Sequence, residues 1–135
     1  MYISEYCICL VLLLALLLPV ASGQTQLQIN QQAQQQFTAA DSELNSVYQE
    51  VRKKYASDTR FLSRLKEAQK AWLRFRDAQT AAMYPASDKA REYGSMYSFC
   101  LGNLLKQMTQ ERTKQLKVWL DGGSEGDACS GSVRR

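Results

Sequence analysis

Apolar residues recur three and four positions apart along most of this 135-residue chain. That spacing stacks side chains on one face of an α-helix. Ile29, Ala33, Phe37, Ala40, Leu44, Val47, Tyr48, Val51 and Tyr55 form the first series, with Glu43, Glu50, Arg52 and Lys53 flanking it. It predicts a helix over residues 27–55, beginning inside the glutamine-rich stretch QTQLQINQQAQQQF. Ser57 or Asp58 then offers a side-chain oxygen to the free amides of a new helix start. Phe61, Leu65, Ala68, Trp72, Phe75, Gln79 and Ala82 continue as a heptad-like seam. The second helix should stop at Tyr84, because a residue before proline is pushed out of the helical region.

PASDKAREYGS, residues 85–95, is the one substantial interruption, and Gly94-Ser95 reads as a stop followed by a cap. A third helix over residues 96–120 should bury Tyr97, Cys100 or Leu101, Leu104, Met108, Leu116 and Trp119. Gly102 weakens it by about 1 kcal/mol relative to alanine. DGGSEGDACSGSVRR, residues 121–135, has no core-forming pattern and reads as a flexible tail. Few β-branched residues argue against a sheet. The fold class is therefore all-α, a three-helix antiparallel bundle with short connections.

The N-terminal end has a different pattern. Residues 8–18 are an unbroken apolar run, short for a membrane span but of signal-peptide length. Pro19 ends it, and Ala21-Ser22-Gly23 supplies small residues before a cut at Gln24, although no Lys or Arg precedes the run. This divides the chain into a signal peptide (1–23), a helical domain (24–120) and a tail (121–135). Export to the periplasm or beyond follows, with no stable membrane insertion after cleavage. Removing Glu5 with the signal would take the net charge from +4 to +5.

Composition limits the chemistry. The chain has no histidine, which removes the usual general base near neutral pH and the commonest metal ligand. It has no Cys-x-x-Cys, no phosphate-cradling glycine loop and no Gly-x-Ser-x-Gly elbow. These absences point to a non-enzymatic protein with no catalytic residue, metal or cofactor. Lys66, Lys70 and Arg74 lie four apart and form a basic stripe that could meet a polyanion such as a cell-wall polymer. The blander reading, preferred here, is a solvated face moderated by Glu67 and Asp77. Nucleic acid is disfavoured as a partner by the export signal.

After cleavage two cysteines remain, Cys100 and Cys129, an even pair in an oxidising compartment and so a candidate disulfide. A straight helix would carry Trp119 roughly 28 Å beyond Cys100. The ten residues from there to Cys129 reach back at most about 33–36 Å when fully extended. Closure is sterically tight. The alternative is a buried Cys100 and a free Cys129.

Four segments in fixed order, ADSELNSVYQEV, LKEAQKAWLRFRDAQ, GSMYSFC and MTQERTKQL, resemble the N-terminal domain of the LprI-type lysozyme inhibitors, small exported bacterial helical proteins. The resemblance runs over residues 34–120. It departs from the family where RDAQTAA carries no cysteine after the Arg-Asp pair, leaving Cys129 as the substitute partner for Cys100. Gln24 also stands where lipoprotein members have an acylated cysteine. The resemblance implies that Asp41, Leu44, Asn45, Tyr48, Gln69, Trp72, Arg76, Asp77, Thr109, Arg112 and Leu116 are structural, the polar ones forming a partly buried network with Asp77 or Asp41 holding Arg112. It also implies a lysozyme as partner. Contact would then fall to the 85–95 connection, where Lys89 or Arg91 could pair with the carboxylates of a lysozyme cleft. The alternative is a periplasmic adaptor or polyanion-binding module using the basic stripe. The residues leave the oligomeric state open.

Overall fold

The computed structural model describes residues 24–134, so the signal-peptide reading of residues 1–23 lies outside the described residues. Every regular element described is helical: α1 (Gln26–Lys54), α2 (Thr59–Met83), α3 (Lys89–Tyr93) and α4 (Tyr97–Asp121). None is long and apolar enough to cross a membrane. The expected three long helices are there, and a fourth, short helix occupies the connection read as a break.

Local chemistry explains the boundaries. α1 opens with a reciprocal capping box: Thr25 Oγ1 accepts from the Gln28 amide at 3.3 Å, and Gln28 Oε1 accepts from the Thr25 amide at 2.8 Å. It closes on Arg52, Lys53 and Lys54, cations that complement the negative end of the helix dipole. Asp58 caps α2 by accepting from the Phe61 amide at 2.9 Å, and Tyr84 ends it before Pro85. Gly94, at φ 66°, makes the left-handed turn between α3 and α4. Ser95 does not cap α4; the cap position is Met96, without a side-chain bond, and the Ser95 carbonyl instead accepts from Asn30 Nδ2 at 3.3 Å.

Successive long helices reverse direction, so α1 and α4 run parallel, and they form the closest pair. Along them Ala33 meets Gly102, Gln36 Oε1 accepts from Lys106 Nζ at 2.8 Å, and Glu43 Oε1 accepts from Lys117 Nζ at 2.7 Å. The face α4 turns to α1 is built from small residues, with Gly102, Thr109 and Thr113 buried ahead of Leu116. Predicted inward residues Leu104 and Met108 are only half-buried, and Cys100 is exposed. Gly102 is the point of close approach: a Cβ there would stand 3.0 Å from Ala33 Cβ and 3.1 Å from its carbonyl carbon.

The apolar core is concentrated at one end, where Leu44, Val47, Val51 and Tyr55 of the first helical series meet Leu65 and Leu116. Phe61, Leu62, Trp72, Trp119 and Leu120 pack around them. Fully burying a leucine such as Leu44 or Leu116 contributes about 1.5–3 kcal/mol. α2 joins this core through Phe61, Leu62, Leu65 and Trp72. Leu65 is its one buried residue, and Ala68, Phe75, Gln79 and Ala82, all predicted on the seam, are exposed.

Residues 122–134, expected to be a flexible tail, fold back over the core end. Tyr55 Oη accepts from the Arg134 amide at 2.7 Å, and Arg134 Nη1 donates to the Lys54 carbonyl at 3.0 Å, with its guanidinium 4.4 Å from the Tyr55 ring centre. Trp119 Nε1 donates to Ser132 Oγ at 3.1 Å. The physical reason is the end of α1, where the Lys54 carbonyl has no partner within the helix and the Tyr55 ring attracts a cation. Docking the tail here leaves Cys129 near the end of α4 and Cys100 near its start. Both thiols are free and exposed, so the expected disulfide is absent.

Candidate functional site

Three surfaces gather the residues singled out from the sequence. The first is the corner formed by residues 84–97. Tyr84, Tyr93 and Tyr97 pack as a ring cluster, with edge contacts of 5.3 and 5.1 Å from Tyr84 and a stacked pair at 5.9 Å. Tyr93 Oη accepts from the Ala86 amide at 3.1 Å, and Asp88 caps α3 by accepting from the Arg91 amide at 3.1 Å. Lys89 is half-buried and donates to the carbonyls of Tyr84 and Ala86. Its ammonium therefore closes the end of α2, and of the two loop cations only Arg91 presents an exposed side chain. Burial within the cluster, then the neighbouring Cys100, Tyr97 and Tyr93, push the Tyr84 phenol above its ordinary value.

The second surface is the basic stripe. Lys66, Lys70 and Arg74 are all exposed on α2, with Lys70 paired to Glu67 at 3.2 Å. Lys66 also meets Arg52 of α1 across a shallow groove lined by Tyr48, Thr59, Leu62 and Ser63. Tyr48 is half-buried there, with the Arg52 guanidinium 5.8 Å from its ring centre.

The third surface lies between α2 and α4. Trp72, Phe75 and Gln79 face Leu104, Met108 and Arg112 across an open groove of about 450 Å³. Phe75 keeps 57% of its surface exposed and Met83, further along α2, 51%. Arg112 Nε donates to Gln69 Oε1 at 3.0 Å and its Nη1 to Gln115 Oε1 at 3.0 Å. Partial burial lowers its affinity for the proton.

The polar network exists with a different centre from the one expected. Arg76, not Arg112, holds the carboxylates: Nη1 lies 3.6 Å from Asp41 Oδ1 and Nε 3.3 Å from Asp77 Oδ1. Its side chain is only 16% exposed, standing 5.3 Å from the Trp72 ring centre and 6.0 Å from that of Phe37. Asn45 Nδ2, one turn along α1, donates to Asp41 Oδ2 at 3.2 Å and steadies the carboxylate whose other oxygen reaches Arg76 of α2. Leu44 and Leu116 are core, and Thr109 is fully buried with no partner for its hydroxyl. Trp72 spacing fixed the helix face, but nothing in the sequence marked Arg76 over Arg112 as the hub.

A family model, Lysozyme inhibitor LprI, matches residues 20–116. The chain belongs to the LprI lysozyme-inhibitor family. An uncharacterized protein of Rhizobium meliloti (strain 1021) is 35% identical over 108 residues, 72% of this chain and 75% of that protein. No solved structure matches the chain. In this LprI-family chain Leu44 and Leu116 lie in the core, Arg76 and Arg112 bond across helices, and Trp72 and Arg112 also line the groove.

Proposed function

We propose that this LprI-family chain is an exported, non-enzymatic lysozyme inhibitor, acting in the periplasm or outside the cell, and that residues 84–97 carry the contact. The observation behind this reading is that the corner is braced from within. Three tyrosine rings, the Asp88 cap and the Lys89 ammonium fix it, leaving Arg91 outward. A loop held in one shape loses little conformational entropy on binding, the property an inhibitory loop requires. Lysozymes with two carboxylates in a cleft offer Arg91 a charged partner. The chain's positive net charge gives no long-range steering toward a basic lysozyme, so short-range fit must carry the affinity.

A turbidity assay of lysozyme on cell walls tests this. Purified chain should slow clearing, Arg91→Ala should lose most of that effect at unchanged melting temperature, and Lys89→Ala should lose it together with some stability. Clearing at the control rate under excess protein sinks the inhibitor reading. Full inhibition by Arg91→Ala sinks the corner alone.

The exposed stripe supports a second reading, a polyanion- or cell-wall-binding module, because Lys66 and Arg52 converge on one groove. Salt-sensitive retention on an anionic polymer, lost in a Lys66/Lys70/Arg74 triple-alanine variant, would favour it.

A further inference from the structure

We propose that the groove between α2 and α4 is a docking site for an apolar segment of a partner protein that carries a carboxylate beside its apolar side chains. This surface is separate from the corner 84–97 and does not depend on it. Three observations carry the proposal.

The first is apolar surface left uncovered. Trp72, Phe75, Leu104 and Met108 line the groove together, and Phe75 is more than half exposed although its spacing puts it on the helix seam. Contiguous apolar surface rimmed by polar groups marks an interaction surface rather than ordinary scattered exposure. The second is charge. The two charged side chains that line the groove are Glu111 and Arg112. Glu111 has Lys114 at 3.7 Å, whereas the Arg112 partners are the neutral amide oxygens of Gln69 and Gln115. Among the described residues no carboxylate pairs with Arg112, so the groove holds one half-buried positive charge without a counter-charge. A carboxylate there gains a charge-assisted bond in partly desolvated surroundings. The third is shape and rim. The groove is open along both helices, with Gln79, Gln107 and Gln115 as amide donors and acceptors at its edges. That form suits side chains of a helix or extended segment laid along it, and not an enclosed small molecule. A single cation is too few for a polyanion.

The test uses the purified full chain and two labelled amphipathic peptides of about 15 residues, one with leucines at helical spacing flanked by glutamates and the other with glutamines in their place. Fluorescence anisotropy at low salt should give about ten-fold tighter binding of the glutamate peptide. Arg112→Gln should bring the two peptides level. Phe75→Glu, a change at an exposed position and therefore tolerated by the fold, should weaken both by about ten-fold or more. Circular dichroism checks that each variant is folded; should Arg112→Gln unfold the chain, the Phe75→Glu result and the glutamate-glutamine difference decide the question. Equal affinity of wild type for both peptides, binding undiminished by Phe75→Glu, or no binding of either peptide overturns the proposal. So does a concentration-dependent dimer that Phe75→Glu dissolves, which would make the occupant a second copy of the chain.

Discussion

Replacing Gly102 with alanine sets two effects against each other. Glycine inside a helix costs about 1 kcal/mol relative to alanine, so on helix propensity alone the change stabilises. Against that stands the approach of α1. A Cβ at position 102 would lie 3.0 Å from Ala33 Cβ, 3.1 Å from its carbonyl carbon and 3.2 Å from its carbonyl oxygen. Two of these three neighbours are backbone atoms, which no rotamer change can move. The helices must separate by a few tenths of an ångström, loosening the buried contacts of Thr109, Thr113 and Leu116 farther along the same face. Overpacking of this kind costs about 1–3 kcal/mol. The balance is a net loss of about 1 kcal/mol for alanine, and more for Gly102→Leu, whose larger side chain has no space on that face. A loss of that size lowers the melting temperature of a domain this long by about 4 °C. Urea denaturation followed by circular dichroism gives the free energy. Ala33→Gly itself costs about 1 kcal/mol of helix propensity, but it removes the nearest atom, so it should cost less in the Gly102→Ala background than in the wild type and the two changes should be non-additive. If Gly102→Ala is as stable as the wild type or more stable, the close-approach argument fails and the glycine is only a weak helix former.

Three further outcomes are expected. Thr109→Val keeps the shape of a fully buried side chain and deletes a hydroxyl that has no partner, so stability should stay level or rise by about 1 kcal/mol in urea titrations; a clear loss would mean the hydroxyl is engaged. Arg76→Lys keeps the charge but removes the planar group that faces Trp72 and Phe37 and reaches Asp41, so it should cost about 1 kcal/mol, and a lysine that restores wild-type stability would reduce the hub to simple charge. The folded-state Tyr84 phenol titrates above its ordinary value, so the unfolded chain gives up its proton first; the stability Tyr84 contributes is whole below about pH 10 and falls away as the pH rises further. Tyr84→Phe should flatten that alkaline loss, and an unchanged alkaline profile would count against it.

Helix periodicity carried the fold because α1 buries one continuous face, and Ala33, Ala40, Leu44, Val47 and Val51 lie where their spacing puts them. The same periodicity misled in α2 and α4 for a common reason. A spacing rule identifies the apolar face of a helix without saying how closely its partner approaches. In α4 the buried residues include Gly102, which closes on Ala33 of α1, and Thr109 and Thr113, which hydropathy ranks low but whose small size permits close contact. α1 and α4 take each other as nearest partners through that face. α2 is left to join them through Leu65 and the Arg76 network, and its Phe75 side remains outside. The tail was misread by the same logic: its composition lacks a core pattern, yet Arg134 needs none, because it docks on unpaired carbonyl and ring groups that exist only once α1 ends at Tyr55. Lys89 followed that course too, its charge drawn inward by the carbonyls at the end of α2. The exposed positive charges that remain for a partner are thus set by which helix ends and carboxylates the fold has already matched. Among those that remain are Arg91 at the corner and Lys66 and Arg74 on the stripe, with Arg112, half-buried and matched only by neutral amides, in the groove.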